Sequence, residues 1–310
     1  MHNILFEKIE KAEIITIFRH QFPDMDALGS QWGLRLWIQE TFPSKQVYCL
    51  GTNNHLCDQL QVSMDIVEDQ IVQNSLAIVL DTSNKERVDD DRYKMAKESI
   101  RFDHHVFVEQ ICDDEWIEPQ ASATCEMLAL FLEAHDQNLS KQAAQFLFNG
   151  LNADSIHFSV SSVRAESFLA AAYLAKFGID VVQSQIDNYS CSLADFEYEK
   201  VVRNHIQKRN QCFYSILEKE DYEACGLSFS SAKEKVYCLS GVRGIQIWAL
   251  FTRMEDGIHY SASLRSLTIP IRDIASEFGG GGHECAAGIK NLTREQVDQI
   301  LNLLAIRSQD

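Results

Sequence analysis

Four short segments of this chain carry carboxylates and imidazoles at spacings that suit divalent-cation chemistry. His20-Gln21-Phe22-Pro23-Asp24-Met25-Asp26 follows the apolar run at 13–18, and Asp81-Thr82 follows the one at 76–80. Asp103-His104-His105 closes the run at 99–102, and Asp154 follows the apolar stretch 146–151. Hard divalent cations prefer carboxylate oxygens, and imidazole suits Mn, Fe or Zn. Taken singly, each aspartate is explained as a turn former or helix cap, Asp24 and Asp26 above all. Four such segments together are far harder to assign to turns. His20, Asp24, Asp26, Asp81, His104 and Asp154 could serve two cations about 3.5–4 Å apart, an arrangement that activates water and holds phosphoryl oxygens. The chemistry expected is hydrolysis.

Each segment sits at the carboxyl end of an apolar run, and open α/β sheets place their sites at the carboxyl ends of strands. Strands are expected at 13–19, 47–50, 76–80 and 99–102, interleaved with helices and followed by helices at 122–134, 140–151 and 164–177. Such alternation implies a mostly parallel sheet. From 181 to 214 the chain is polar, without an obvious strand, and reads as a helical connector. Strands are expected again at 224–229, 244–253 and 259–265, then a helix at 271–278, four glycines with His283, and a last helix at 293–305. The fold class is α/β, with a mostly parallel-sheet domain over 1–180, the connector over 181–214, and a smaller α+β domain over 215–310.

Four consecutive glycines, 279–282, are costly in an ordered element. One use is close approach of backbone N–H groups to a phosphate; the plain alternative is a flexible loop. Arg265, upstream, could grip a phosphate in bidentate fashion.

Composition narrows the partners. The 310 residues include 28 basic and 45 acidic side chains, for a net charge of −17. A long nucleic-acid duplex needs a basic face, so it is disfavoured as a partner. Small anions are not excluded, because cations reverse the local sign of an acidic site. Nine scattered cysteines, without a Cys-x-x-Cys pair, read as reduced thiols. No apolar run approaches the ~20 residues of a membrane span, and the first eight residues lack a signal-peptide pattern. A cytoplasmic protein is expected. The four tryptophans read as core, and Asp89-Asp90-Asp91 as a solvated helix start.

The four segments, in this order, resemble the DHH phosphoesterase superfamily. The run 279–288, with Arg265 in Ser263-Leu264-Arg265-Ser266, resembles its accessory DHHA1 domain. Nearly the whole chain is covered, and the likeness is greatest to the stand-alone nanoRNase/pAp phosphatase group. The resemblance implies two Mn²⁺ ions held by His20, Asp24, Asp26, Asp81, His104 and Asp154, with Asp81 bridging. It implies that Asp103 orients His104 and that His105 meets the scissile phosphate or assists proton transfer. Arg265, Gly280, Gly281, Gly282 and His283 would contact substrate, across a cleft whose size limits substrate length. The partners implied are short single-stranded oligonucleotides, pAp or linear dinucleotides, with a homodimer left open. Phe22, Met25, Thr82-Ser83-Asn84 and Ser155 depart from the family pattern, all beside the ligands. Rival readings are a linear or cyclic dinucleotide phosphodiesterase and a nucleotide-binding module that does not hydrolyse. All six ligand positions are filled, which disfavours the second.

Overall fold

The computed structural model describes residues 2–309. It divides into two units that meet in sequence between Ser190 and Cys191.

The first unit runs α1 (His2–Lys11), β1 (Ile14–Phe18), α2 (Met25–Thr41), β2 (Gln46–Cys49), α3 (His55–Gln59) and α4 (Asp69–Gln73). It continues with β3 (Leu76–Leu80), β4 (Glu98–Asp103), β5 (Asp114–Ile117), α5 (Thr124–Ala134), α6 (Lys141–Asp154), α7 (Ala165–Ala175) and α8 (Val181–Tyr189). The five strands form one sheet in the order β2-β1-β3-β4-β5, and every pairing is parallel. Central strand β3, Leu-Ala-Ile-Val-Leu, is buried along its whole length. Parallel strands covered on both faces read as such unbroken apolar runs. Ile15, Ile17, Ile78 and Leu80 enter one core with Leu28, Trp37, Phe131 and Leu147. Phe18, Ala77 and Val79 enter the opposite core with Leu50, Val72 and Tyr93. The chain steps from β1 outward to β2 and then back to β3 on the other side. The carboxyl ends of β1 and β3 therefore flank the switch point where such sheets bind ligands.

The second unit runs α9 (Leu193–Asn204), β6 (Gln207–Arg209), β7 (Cys212–Leu217), α10 (Lys219–Glu223), α11 (Phe229–Ala232) and β8 (Ile247–Arg253). Then come β9 (Tyr260–Ser266), α12 (Arg272–Glu277), β10 (Gly281–His283), β11 (Ala286–Leu292) and α13 (Arg294–Arg307). Its mixed sheet has the order β10-β11-β9-β8-β7-β6. Ile247, Ala249, Phe251, Ala262 and Leu264 alternate inward and pack under α12 and α13 through Ile274, Val297 and Leu301.

Three expectations need correction. The stretch 181–214 is not a separate helical body: α8 belongs to the first unit, whereas α9, β6 and the start of β7 belong to the second. Polar Gln207-Lys208-Arg209 hid β6, an edge strand, and charged side chains are how edges are kept from pairing. The stretch 224–229 is not a strand: 224–228 turn between α10 and α11, with Gly226 at φ +73° and Ser228 capping α11, which Phe229 opens. Asp89 is not solvated, because it accepts hydrogen bonds from the buried Arg19 guanidinium and from the Thr52 backbone. Trp37 is fully buried, and Trp32, Trp116 and Trp248 pack against the cores as expected. Among the described residues, no helix is long and apolar enough to cross a membrane.

Candidate metal centre and anion pocket

All six expected ligands converge at the carboxyl edge of the parallel sheet. His20 leaves β1, and its Nε2 lies 3.3 Å from Asp81 Oδ2 and 3.6 Å from Asp24 Oδ2. His104 leaves β4, and its Nε2 lies 3.4 Å from Asp81 Oδ1, 3.3 Å from Asp154 Oδ2 and 4.0 Å from Asp26 Oδ2. The six fall into two donor sets, His20-Asp24-Asp81 and Asp26-His104-Asp154, each with its ligand atoms within 4.8 Å of one another, and Asp81 and His104 form a third such group with His105. Asp81 presents one oxygen toward each imidazole, and so links the sets.

Three of the expected carboxylate ligands are held from behind. Asp24 caps α2, accepting from the Asp26 and Ala27 amides. Buried Asp26 accepts from the amides of Thr124 and Cys125 at 2.7 and 2.9 Å, at the amino end of α5. That end carries orphan N–H groups and partial positive charge, so a carboxylate fits there. Thr124 also turns its hydroxyl to Asp81 Oδ1 at 3.3 Å. Gly150 of α6 allows this packing, since a Cβ there would stand 2.4 Å from Cys125 Sγ and 2.9 Å from Asp26 Oδ1. Asp81 itself sits at φ +50°, a left-handed conformation that non-glycine residues seldom take.

The role expected of Asp103 needs correction. Its Oδ1 accepts from His105 Nδ1 at 2.7 Å and from the His105 amide at 3.2 Å, so it orients His105 and not His104. The cause is local: an aspartate that bonds the residue two positions on makes an Asx-type turn, and the intervening His104 faces elsewhere. His104 Nδ1 lies instead 3.3 Å from the Ala121 carbonyl. His105 Nδ1 is also 3.6 Å from Asp81 Oδ1.

The electrostatics point to missing positive charge. Burial, and then Asp26 and Asp81, push Asp154 up to about 9. Burial, and then Asp81, push Asp26 up to about 7. Burial would lower His20 and His104, yet the carboxylates facing them hold both up at about 10. Burial would likewise raise Asp81, but bonds from His104 and His20 take it well below the usual carboxylate range. Carboxyls raised in this way, Asp154 above all, are ones that divalent cations would deprotonate on binding. The oxygen-rich donors with one imidazole per set fit hard to borderline cations such as Mn²⁺.

Sequence reasoning missed much of the support. Glu126, fully buried on α5, accepts from Ser122 and Ser167 hydroxyls at 2.6 Å each and from Arg164 Nε at 3.1 Å. It ties the amino ends of α5 and α7 together. Its place in Ser122-Ala123-Thr124-Cys125-Glu126 carried no signal beyond a helix start. Arg164 spends a donor on this network, and His157 stacks on Tyr189 with ring centroids 3.8 Å apart.

The second unit holds a different feature, a cavity of about 550 Å³ lined by Lys233, Ser263, Arg265, Gly280, Gly281 and Lys290 among others. Arg265 is half-buried there, its Nη1 donating to its neighbour Leu264's carbonyl at 2.9 Å. Burial lowers its pKa, and no carboxylate pairs with it among the described residues. Lys233 and Lys290 were not singled out from sequence, and neither has an ion pair among the described residues. The glycine run is not a loose loop: residues 281–283 form β10, paired with β11. A Cβ on Gly280 would meet the Gly288 carbonyl at 2.3 Å, whereas one on Gly281 would meet nothing within 4 Å. Packing thus demands glycine at 280, while Gly281 leaves space over the cavity. Gly282 and His283 are exposed and do not line it.

Comparison with known proteins agrees with this division. Residues 14–151 match the DHH family N-terminal domain, and residues 215–306 match the DHHA1 domain. The chain is 31% identical to an uncharacterised protein of Mycoplasma pneumoniae, with 98% of this chain and 94% of that protein covered. It is also 31% identical to the probable bifunctional oligoribonuclease and PAP phosphatase NrnA of Streptococcus mutans, over 96% of this chain and 95% of that one. Among solved structures, an exopolyphosphatase-related protein from Bacteroides fragilis superimposes with a TM-score of 0.87 at 21% identity, covering 100% of this chain and 97% of that one, and so shares the fold.

Proposed function

Because this chain belongs to the DHH/DHHA1 phosphoesterase family, we propose that it is a Mn²⁺-dependent phosphodiesterase of the cytoplasm. It trims very short single-stranded oligonucleotides to mononucleotides and removes the 3′-phosphate of pAp. The observation that carries this reading is Asp81 standing between two donor sets, with Oδ2 3.3 Å from His20 and Oδ1 3.4 Å from His104. Two adjacent divalent cations, when bound, would supply Lewis-acid activation of water and charge neutralisation at phosphoryl oxygens.

The chain's own residues do the rest. His20, Asp24 and Asp81 would hold one cation, and Asp26, His104 and Asp154, with the other Asp81 oxygen, would hold the second. Thr124 and Cys125 amides keep Asp26 aimed without side-chain rearrangement. Asp103 accepts a hydrogen bond from His105 Nδ1–H, which fixes the ring's tautomer and leaves Nε2 to move a proton at the phosphate or its leaving oxygen. Arg265, with Lys233 and Lys290, offers positive charge to a substrate phosphate in the cavity of the second unit. The relatives named as oligoribonuclease and PAP phosphatase support the choice of substrate.

Chromatography of products from 5′-pApA, pAp and pyrophosphate with Mn²⁺ tests the proposal. AMP from pApA and from pAp, abolished by chelation, is the expected result. Consumption of pyrophosphate alone, or turnover indifferent to chelator, contradicts it.

A further inference from the structure

Phe22 is an anomalous residue beside the metal centre. Its backbone sits at φ +54°, where side chains other than Asn and Asp are rare. The residue is 90% exposed. A large aromatic gains nothing for the fold in that position, since it has no core to join and a backbone conformation that disfavours it. Exposure here is not fraying. Gln21 on one side donates its amide to the Arg87 carbonyl at 2.7 Å and its side chain to the Glu86 carbonyl at 3.2 Å. Pro23 on the other side is buried, and its carbonyl accepts from Asn54 Nδ2 at 2.9 Å. The loop is thus fastened at both shoulders, with Phe22 as its crest. Two positions away in each direction stand His20 and Asp24, both of one donor set. Strain kept at a fixed, exposed point beside a reactive centre calls for a ligand that uses it.

We propose that Phe22 is a stacking platform for the nucleobase adjacent to the scissile phosphate. The inference rests on the phosphodiesterase reading above and adds to it a base-recognising group. A phosphate seated on the metal ligands leaves its nucleoside to extend past the loop that carries two of them. Every base has a π-face, so stacking on one aromatic ring holds short oligonucleotides with little regard to sequence. The two faces of the centre are then distinct in chemistry: carboxylates and imidazoles for the phosphate, an apolar ring for the base.

The test compares kcat/KM for 5′-pApA with kcat/KM for the same dinucleotide lacking both bases, in Mn²⁺. Phe22→Ala should lower the ratio of the two about tenfold or more, chiefly through KM for pApA, and Phe22→Trp should preserve it. A ratio unchanged in Phe22→Ala overturns the platform, as does an equal fall in Phe22→Trp, which would indicate a steric or folding effect. Wild-type protein that cleaves neither substrate overturns the phosphodiesterase reading and the platform with it. Wild-type cleavage with an unchanged ratio overturns the platform alone.

Discussion

The metal centre of the first unit and the cavity of the second are built in opposite ways. The centre is negative, closely packed and largely held by bonds within the protein. Asp26 takes two backbone amides, Asp81 takes a hydroxyl and faces two imidazoles, and Asp103 is spent on His105. The cavity is positive and uncommitted: Arg265 bonds a neighbouring carbonyl, and Lys233 and Lys290 have no ion pair among the described residues. Buried charges must be partnered within the protein or neutralised by what they bind. Exposed ones can wait in solvent at little cost. Chemistry that needs fixed geometry is accordingly placed in the buried region, and recognition that tolerates adjustment is placed in the open one.

That contrast predicts graded effects. The largest belongs to Asp81→Asn, which removes the charge common to both donor sets. Turnover of pApA should fall to the assay floor and calorimetric Mn²⁺ uptake should weaken, with the circular dichroism spectrum retained. Next comes Asp103→Asn. If Asp103 acts through His105, turnover drops about ten- to a hundredfold while Mn²⁺ affinity stays near wild type. A parallel loss of Mn²⁺ would instead make Asp103 a support for His104. In the open region, Arg265→Ala should cost about ten- to a hundredfold in kcat/KM for pApA, the worth of charge-assisted hydrogen bonds. It should cost far less for bis-p-nitrophenyl phosphate, and equal loss on both would remove the second unit from substrate recognition. Exposed Lys290→Ala should cost only a few-fold.

The smallest effect is one of pH on stability. In the folded, cation-free protein Asp154 and Asp26 titrate near 9 and 7, against 3.8 for an ordinary aspartate. His20 and His104 titrate near 10, against 6.5. The folded state therefore binds more protons than the unfolded state between pH 6.5 and 9, and stability falls as pH rises. Asp81, held low, is ionised in both states across that window and adds no slope. Thermal unfolding in chelator should show Tm falling from pH 6.5 to 9. Mn²⁺ should restore it most at pH 9, where deprotonated carboxylates bind best. A Tm independent of pH in chelator would mean that the carboxylates do not share their charge as described.

The parallel sheet was legible because β1 and β3 are short apolar runs and β4 carries Ile100 and Phe102, each strand leading into a polar ligand segment. Strand β5, Asp114-Glu115-Trp116-Ile117, was not, because an acidic half-buried edge strand lacks that pattern. The six metal ligands were legible through their segment spacing. Which carboxylate serves which histidine was not, since adjacent residues Asp103, His104 and His105 differ only by a turn that side-chain bonding decides. Glu126 was invisible as a site residue because it acts across the fold, from α5 to α7, and Thr124, legible as a helix start where an anion might sit, turned out to meet Asp26 and Asp81. In the second unit Arg265 and the glycines stood out by type. Lys233 and Lys290 did not, for lysines scattered in sequence announce nothing until β9, β11 and α11 bring them to one cavity.

The most direct test of a shared two-cation centre is electron paramagnetic resonance of the protein loaded with Mn²⁺ after chelator stripping. Two Mn²⁺ per chain with the spectrum of a spin-coupled pair is the predicted result, since Asp81 presents an oxygen to each donor set. A single isolated six-line signal at saturation, or no binding, would contradict it.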